Sequence, residues 1–435
     1  MLRKNLAAMK IEKSDKIVNP YSGINFVLQE IETCGIRNLI DNHLGKRSDD
    51  CEYSYSDVII ALWTIFFCGG DCAEDITEHL GKHLKKIPGL KVPSADTILR
   101  CQKELKTEKE IDTNKKGIVN ELNKNIVLNR LNIGILKHLH LLKERVGYDF
   151  DFDNQLLPTE KYDARRSYKH VDGYFPGIAT INGMPVYVEN RNGNSNVKYR
   201  QEETLEMAYS LLAEAGVKIQ RSRMDCGSYG KEIIEVVEKY SKYFYIRAMC
   251  CDNLEEIIRN IAQWQEVEIN YKQYEVASIE YQPFGIKDKV YRLVIMREFN
   301  KNGQVNLFTE DAMKYRSILT NDWANTELEV IKFFNQRGNS EKVFDVMNND
   351  FGWNRMPFSF MNENTVFLIL MAICKNVYQY IIEKYSQTLD FLKKNFRLKK
   401  FIFRFINVAG KWIRRGRQNI LKLYTSKPYE LMLSS

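Results

Sequence analysis

Between Tyr148 and Asp153 the chain alternates without a break: Tyr148-Asp149-Phe150-Asp151-Phe152-Asp153. Successive residues of a strand point to opposite faces, so this run is a strand with aromatics on one face and acids on the other. A helix would scatter both sets around its circumference. The middle of the chain is therefore built on a sheet that buries the aromatic face and leaves a row of carboxylates beside it.

Two further acids stand in settings that suit partnership with that row. Asp225 closes the short strand Arg221-Ser222-Arg223-Met224 and runs into the turn Cys226-Gly227. Glu341 follows Phe333-Phe334-Asn335-Gln336-Arg337-Gly338-Asn339-Ser340 and leads into a helix. Two aspartates from strands and one glutamate from a later helix can hold two divalent ions ~3.5–4 Å apart, the arrangement that clamps both oxygens of a phosphodiester under attack. Asp153 is taken as the first ligand, with Asp151 on the same strand face as its rival.

At 435 residues, with 44% hydrophobic and 12% aromatic content, the chain suits two or three globular domains. The uncharged apolar runs Val58–Cys68 and Val366–Cys374 fall short of the ~20 residues of a membrane span, so core helices and no membrane partner are expected. The first residues lack an apolar signal region, and the nine cysteines lack paired spacing, Cys250-Cys251 being adjacent. A cytoplasmic, nucleoid-associated protein with reduced thiols is expected.

The net charge of +8 is concentrated at one end. Residues 361–435 carry 14 Lys/Arg against 4 Asp/Glu, and the stretch from Lys393 to Lys422 has 11 basic residues and no acid. Lys399, Lys400, Arg404, Arg414, Arg415 and Arg417 interleave there with Phe401, Phe403, Phe405 and Trp412. That is the footprint of a polyanion-binding surface. An amphipathic helix with a solvated basic face, or one lying on a membrane surface, is the alternative.

Along the chain, residues 1–145 read as helical, with helices over 23–34, 56–67, 73–84, 95–105 and 117–142. Ser94 is placed to cap the fourth, and residues 75–105 have the form of a helix-turn-helix or of an ordinary helical hairpin. His79 and His83 are spaced for a metal but lack a third ligand nearby. From Val146 the pattern turns to strands: 177–182 and 184–190 around the hairpin signal Asn182-Gly183, a helix over 201–215, the Asp225 strand, a helix over 231–240 and a strand over 243–249. That order is expected of an RNase H-like core. The predicted architecture is α+β or α/β: a helical, DNA-binding region over 1–145, the catalytic core over 146–251 and 316–360, an inserted β-rich subdomain over 252–315 with a turn at Asn302-Gly303, and basic helices for DNA binding and dimerisation over 361–435.

With the Asp153 strand, the segments Tyr187–Asn196, Arg223-Met224-Asp225-Cys226-Gly227 and Asn335–Glu341 together resemble a DDE transposase of a bacterial insertion sequence, of the branch with a strand-rich insertion before its glutamate. The resemblance implies an RNase H-like core whose Asp153, Asp225 and Glu341 bind two Mg²⁺ ions, with Mn²⁺ as substitute. It implies cut-and-paste transposition of double-stranded DNA by a homodimer that joins inverted repeats and target. That branch carries tyrosine, arginine, glutamate and lysine along its last helix. Arg337 and Glu341 match, whereas Phe334 and Asn348 stand where tyrosine and lysine are expected. Arg337, four residues from Glu341 and so on the same helix face, is then placed to clamp a phosphate. Trp323 reads either as core or as a platform for a flipped base, and the loop 191–196 either approaches DNA or is an ordinary polar loop. A DNA-binding protein that has lost the chemistry, and a metal-dependent nuclease without strand transfer, are the competing functional readings.

Overall fold

The aromatic–acid strand lies at the centre of an eleven-stranded sheet. The computed structural model describes residues 11–13, 18–115, 117–249, 252–299 and 313–433. In chain order the strands are β1 (Glu110–Thr113), β2 (Val119–Asn123), β3 (Gly147–Asn154), β4 (Gly177–Ile181), β5 (Met184–Arg191), β6 (Lys218–Met224), β7 (Ser241–Arg247), β8 (Gln265–Ile269), β9 (Lys272–Tyr281), β10 (Tyr291–Phe299) and β11 (Met313–Thr320). Their order across the sheet is β1-β2-β5-β4-β3-β6-β7-β11-β10-β9-β8. Within it, β5, β4 and β3 are antiparallel neighbours, while β3, β6 and β7 run parallel. This is the RNase H-like order expected from the sequence. The Asn182-Gly183 turn joins β4 to β5, and both residues have positive φ (52° and 74°), as a two-residue hairpin requires.

Helices cover both faces. Under the aromatic face of β3 lie α6 (Gln201–Glu214) and α7 (Lys231–Tyr240), and Phe150 meets Tyr209 with ring centroids 4.4 Å apart. On the other side, α5 (Ile126–His138) and the 28-residue α10 (Met361–Thr388) lie along β5. Strand β2 pairs with β5 only at Asn190 and Arg191, which leaves backbone groups along the rest of that edge of β5 outside the ladder. Asparagines complete them: Asn129 both donates to the Val188 carbonyl and accepts from its N–H at 2.8 Å, and Asn132 and Asn376 donate to the Pro185 carbonyl.

Four expectations about organisation change. The described strands of the expected insertion over 252–315 are continuous with the core, β8, β9 and β10 extending the central sheet through β11. The helix expected over 117–142 starts only at Ile126, where the Asn125 side chain accepts from the Leu128 N–H. Ahead of it, β1 and β2 turn through Gly117 at φ 75° and join the sheet at β5. The helices α1 (Ile24–Thr33), α2 (Ile36–Leu44), α3 (Tyr55–Phe67) and α4 (Ala95–Glu104, capped by Ser94 as expected) share one core with α10, so the two ends of the chain form one body. Helix α10 has the length and apolarity of a membrane span, yet that surface is buried inside this core.

The fourth change concerns the basic tail. After a short helical segment over 398–406 it forms a hairpin, β12 (Gly410–Arg415) and β13 (Gln418–Leu423), instead of basic helices. Gly416 and Arg417, at φ 57° and 67°, make its two-residue turn. The Cys250-Cys251 pair and the Asn302-Gly303 turn lie outside the described residues; Cys34, Cys51, Cys68, Cys72, Cys101, Cys226 and Cys374 are free thiols.

Candidate active site

The acid face of β3 is read against β6 rung by rung. Arg221 grips Asp149 with two hydrogen bonds of 2.6 and 2.7 Å, and Arg223 grips Asp151 with two of 2.7 Å. A shift of register after Tyr148 sets these partners opposite each other. Both guanidinium groups lie on the ring of Phe333, 3.9 and 4.5 Å from its centroid, and Arg223 also donates to the Phe333 carbonyl at 2.9 Å. Phe333 belongs to α8 (Glu327–Asn335), which is thereby fastened across the two strands.

At the next rung the pattern reverses. Two residues beyond Asp151 and Arg223 stand Asp153 and Asp225, an acid facing an acid, and the cation between them comes from elsewhere. Arg337 reaches Asp153 at 2.9 Å with one nitrogen and Asp225 at 3.6 Å with another. Burial pushes the Asp153 carboxyl up from its usual range; Arg337 opposes this and the charge of Asp225 adds to it. The Oδ1 atom of Asp225 is buried with no hydrogen-bond partner. An oxygen-only pair, held in place of a cation by a guanidinium and keeping one orphaned carboxylate oxygen, fits a hard divalent ion. Gly227 lets Val197 pack closely against the turn after Asp225, since a Cβ there would meet the Val197 side chain at 2.8 Å.

Both oxygens of Asp151, the rival first ligand, accept from Arg223, and the residue is buried. Glu341 lies exposed in the first turn of α9 (Asn339–Asp350). Its carboxylate does not close with those of Asp153 and Asp225 to within 4.8 Å among the described residues. The continuous helix expected through Arg337 and Glu341 is broken, α8 ending at Asn335 and a 3₁₀ turn spanning Gln336–Gly338. Arg337 accordingly turns to the aspartates, away from a purely helical i,i+4 alignment. Phe334 is buried with Val330 and Ile331, and Asn348 donates to Gln155 at 3.0 Å, two residues past Asp153. The position where lysine was expected therefore lies at the site, occupied by a neutral amide.

Other candidates fall away from it. Arg191, fully buried, is spent on Glu189 at 2.5 Å, on the Val197 and Tyr199 carbonyls and on Thr204, so it holds its loop together and offers nothing to DNA. Trp323 is 54% exposed, which removes the core reading. It follows β11, whose end pairs back toward the start of β7, so it lies toward the end of the sheet away from Asp153 and Asp225. Among the described residues, His79 and His83 join no cluster of three metal-binding groups. The cluster that does gather, Asp71, Cys72 and Asp75, is an exposed turn whose Asp75 accepts from backbone N–H groups and whose Asp71 pairs with Arg355. Lys399, Lys400, Arg404, Arg414, Arg415 and Arg417 are all exposed, and among the described residues none forms an ion pair. The pairing of Arg221 and Arg223 escaped the sequence reading, although Arg221-Ser222-Arg223-Met224-Asp225 repeats the period of the acidic strand with opposite charge.

The sheet has RNase H-like order, with Asp153 at the end of β3 and Asp225 just past the end of β6. The sequence matches the family "Transposase DDE domain group 1" over residues 22–435, and the chain belongs to that family of transposases, whose members use divalent metal ions. Among solved structures, the cryo-EM structure of piggyBac transposase synaptic complex with hairpin DNA shares 12% identity, covering 89% of this chain and 80% of that one with a TM-score of 0.40. No curated protein matches the sequence.

Proposed function

We propose that this transposase performs cut-and-paste transposition, cleaving double-stranded DNA at inverted repeats and joining the freed ends to target DNA as a homodimer. The observation that carries the reading is the reversed rung, where Asp153 and Asp225 face each other across Arg337. Asp153, Asp225 and Glu341 would hold two Mg²⁺ ions, with Mn²⁺ as substitute; when bound, these supply an activated water and stabilise the leaving 3′ oxygen. Arg337 fills the place of a cation between the aspartates and turns to a DNA phosphate once displaced. Departure of the guanidinium frees both carboxylates and lets Glu341 approach them. The exposed basic residues of the tail hold the DNA backbone.

The test is to incubate the protein with the DNA flanking its own gene and Mg²⁺, then map the ends. Cuts at repeat ends with strand joining support transposition, cuts without joining indicate a nuclease, and binding without cuts indicates a DNA-binding protein that has lost the chemistry.

A further inference from the structure

Between β3 and β4 the chain leaves the sheet at the end that carries Asp153 and builds a small lobe over residues 155–176. Its three short strands, Leu157–Pro158, Arg165–Arg166 and Asp172–Tyr174, pair around the last of them. The base of the lobe is fixed by Asp163, whose buried carboxylate accepts from the Met361 N–H at 3.0 Å, from Lys109 at 2.9 Å and from the Tyr174 hydroxyl. The tip is fixed by Ser167, which bonds to the Val171 carbonyl through both its N–H and its hydroxyl.

This well-anchored lobe presents a surface of unusual composition. Tyr162 is 82% exposed and Tyr168 69%, and around them stand Lys161, Arg165, Arg166, Lys169 and His170. The opposing exposed acids on the lobe are Glu160 and Asp172, and Arg165 leans on Glu121 at 3.8 Å. Tyr162 meets Phe360 and Tyr168 meets Phe175 edge-on, Lys169 lies over Tyr168, and both rings stay largely exposed. Exposed aromatic faces set among cations suit stacking on bases and contact with phosphates, a combination typical of surfaces that hold unpaired nucleic acid.

We propose that this lobe binds unpaired DNA bases next to the cut phosphodiester, Tyr162 and Tyr168 stacking on them while Arg166 and Lys169 meet the backbone. The inference rests on the DNA substrate proposed above. It assigns the lobe the strand that is opened at the cut, because the lobe begins two residues after Asp153 and rises from the same end of the sheet. Ligands of such sheets bind beyond the carboxyl ends of the parallel strands, where Asp153 and Asp225 also stand.

The probes are a blunt duplex and the same duplex with a single-stranded tail of about ten nucleotides containing 2-aminopurine, bound to the full-length Asp153→Asn protein. The protein should prefer the tailed duplex and change the 2-aminopurine fluorescence. Adding Tyr162→Ala and Tyr168→Ala should reduce that preference by about tenfold, the order expected for lost base stacking, with blunt-duplex affinity unchanged. Phenylalanine at both positions should restore it. Arg166→Ala with Lys169→Ala should flatten the salt dependence for the tailed probe by up to about two units. Equal affinity for both probes, or a preference that survives in the double alanine variant, overturns the inference while leaving the transposase reading intact. Failure of the parent protein to bind either probe overturns both.

Discussion

Arg223 closes on Asp151 with two hydrogen bonds of 2.7 Å, so that Asp151 is paired across the sheet with β6. Asp153, one rung further, has no arginine on β6 and faces Asp225 instead. Asp153→Asn, Asp225→Asn and Glu341→Gln should each abolish cleavage by several orders of magnitude, while duplex binding in Ca²⁺ stays within a few-fold of the parent. Asp151→Asn should act on stability, because it leaves the buried Arg223 without its counter-charge, at a cost of about 3 kcal/mol or more. Cleavage assays beside thermal melts of the four variants separate the roles. An active Asp153→Asn protein beside a well-folded, inactive Asp151→Asn protein would reverse the assignment.

On the proposed site, Arg337 and a metal ion would compete for the same two carboxylates. Arg337→Ala should lower the Tm of the metal-free protein, since it leaves like charges facing across the rung. The same variant should bind Mn²⁺ roughly tenfold more tightly in the absence of DNA, the equivalent of one charge-assisted hydrogen bond of about 1.5 kcal/mol no longer broken. Its Tm should consequently rise more on adding Mn²⁺ than that of the parent. Calorimetric titration checks the affinity, and an unchanged or weaker Mn²⁺ affinity contradicts the competition. Because burial holds the Asp153 carboxyl above its usual range, Mn²⁺ affinity should also begin to fall at a higher pH than for an ordinary aspartate.

The catalytic strand and the hairpin after it were legible because both are written in local patterns: the 148–153 alternation and the Asn182-Gly183 turn. Contacts between distant segments were not. Arg337 lies 184 positions from Asp153, and only the fold brings them within 2.9 Å. Phe333 reads as one more apolar helix residue until the two arginines of β6 are seen against it. The break at Gln336–Gly338 was hidden by a sequence that otherwise continues its helix. In the tail, basic residues interleaved with aromatics fit a helix and a strand alike, and the Gly416-Arg417 turn carried the distinction. Residues 252–299 announced strands but not that these strands prolong the central sheet, since edge pairing leaves no mark on spacing.

A buried lysine gives the fold a pH signature unrelated to catalysis. Lys375 on α10 donates to the Gly183 carbonyl at 2.5 Å, and burial lowers its pKa to about 8. Between pH 8 and the ordinary lysine range the unfolded chain binds more protons than the folded one, so stability rises with pH across that window. Below it the full penalty applies, on the order of 3 kcal/mol. Lys375→Met should remove this dependence and leave the Tm at pH 7 equal or higher, the lost hydrogen bond being offset by the charge no longer buried. Melting curves from pH 7 to 10.5 test it; a parent and a variant with parallel pH profiles would show that Lys375 is not the cause.

The basic hairpin should supply affinity for DNA with little sequence choice. Arg414, Arg415 and Arg417 cluster at the end of β12 and in the turn to β13, all exposed and, among the described residues, in no ion pair, whereas Arg397 in the same basic stretch is spent on Asp345 and Asp350. Each phosphate neutralised by a cation releases counterions and contributes about −0.9 to the slope of log K against log salt. Replacing the three tip arginines with alanine should therefore flatten the slope by roughly two to three units and weaken binding to all duplexes alike. Arg397→Ala should instead lower the Tm, leave the salt slope nearly unchanged and free two acids of α9. Discrimination between repeat and random DNA should survive the tip substitutions, because arginines at the tip of an exposed hairpin meet phosphates without a fixed register against base edges. Filter-binding titrations across a salt series measure both quantities at once. An unchanged slope in the triple variant would assign the hairpin to a solvated face, and a loss of discrimination at constant non-specific affinity would place base recognition at its tip.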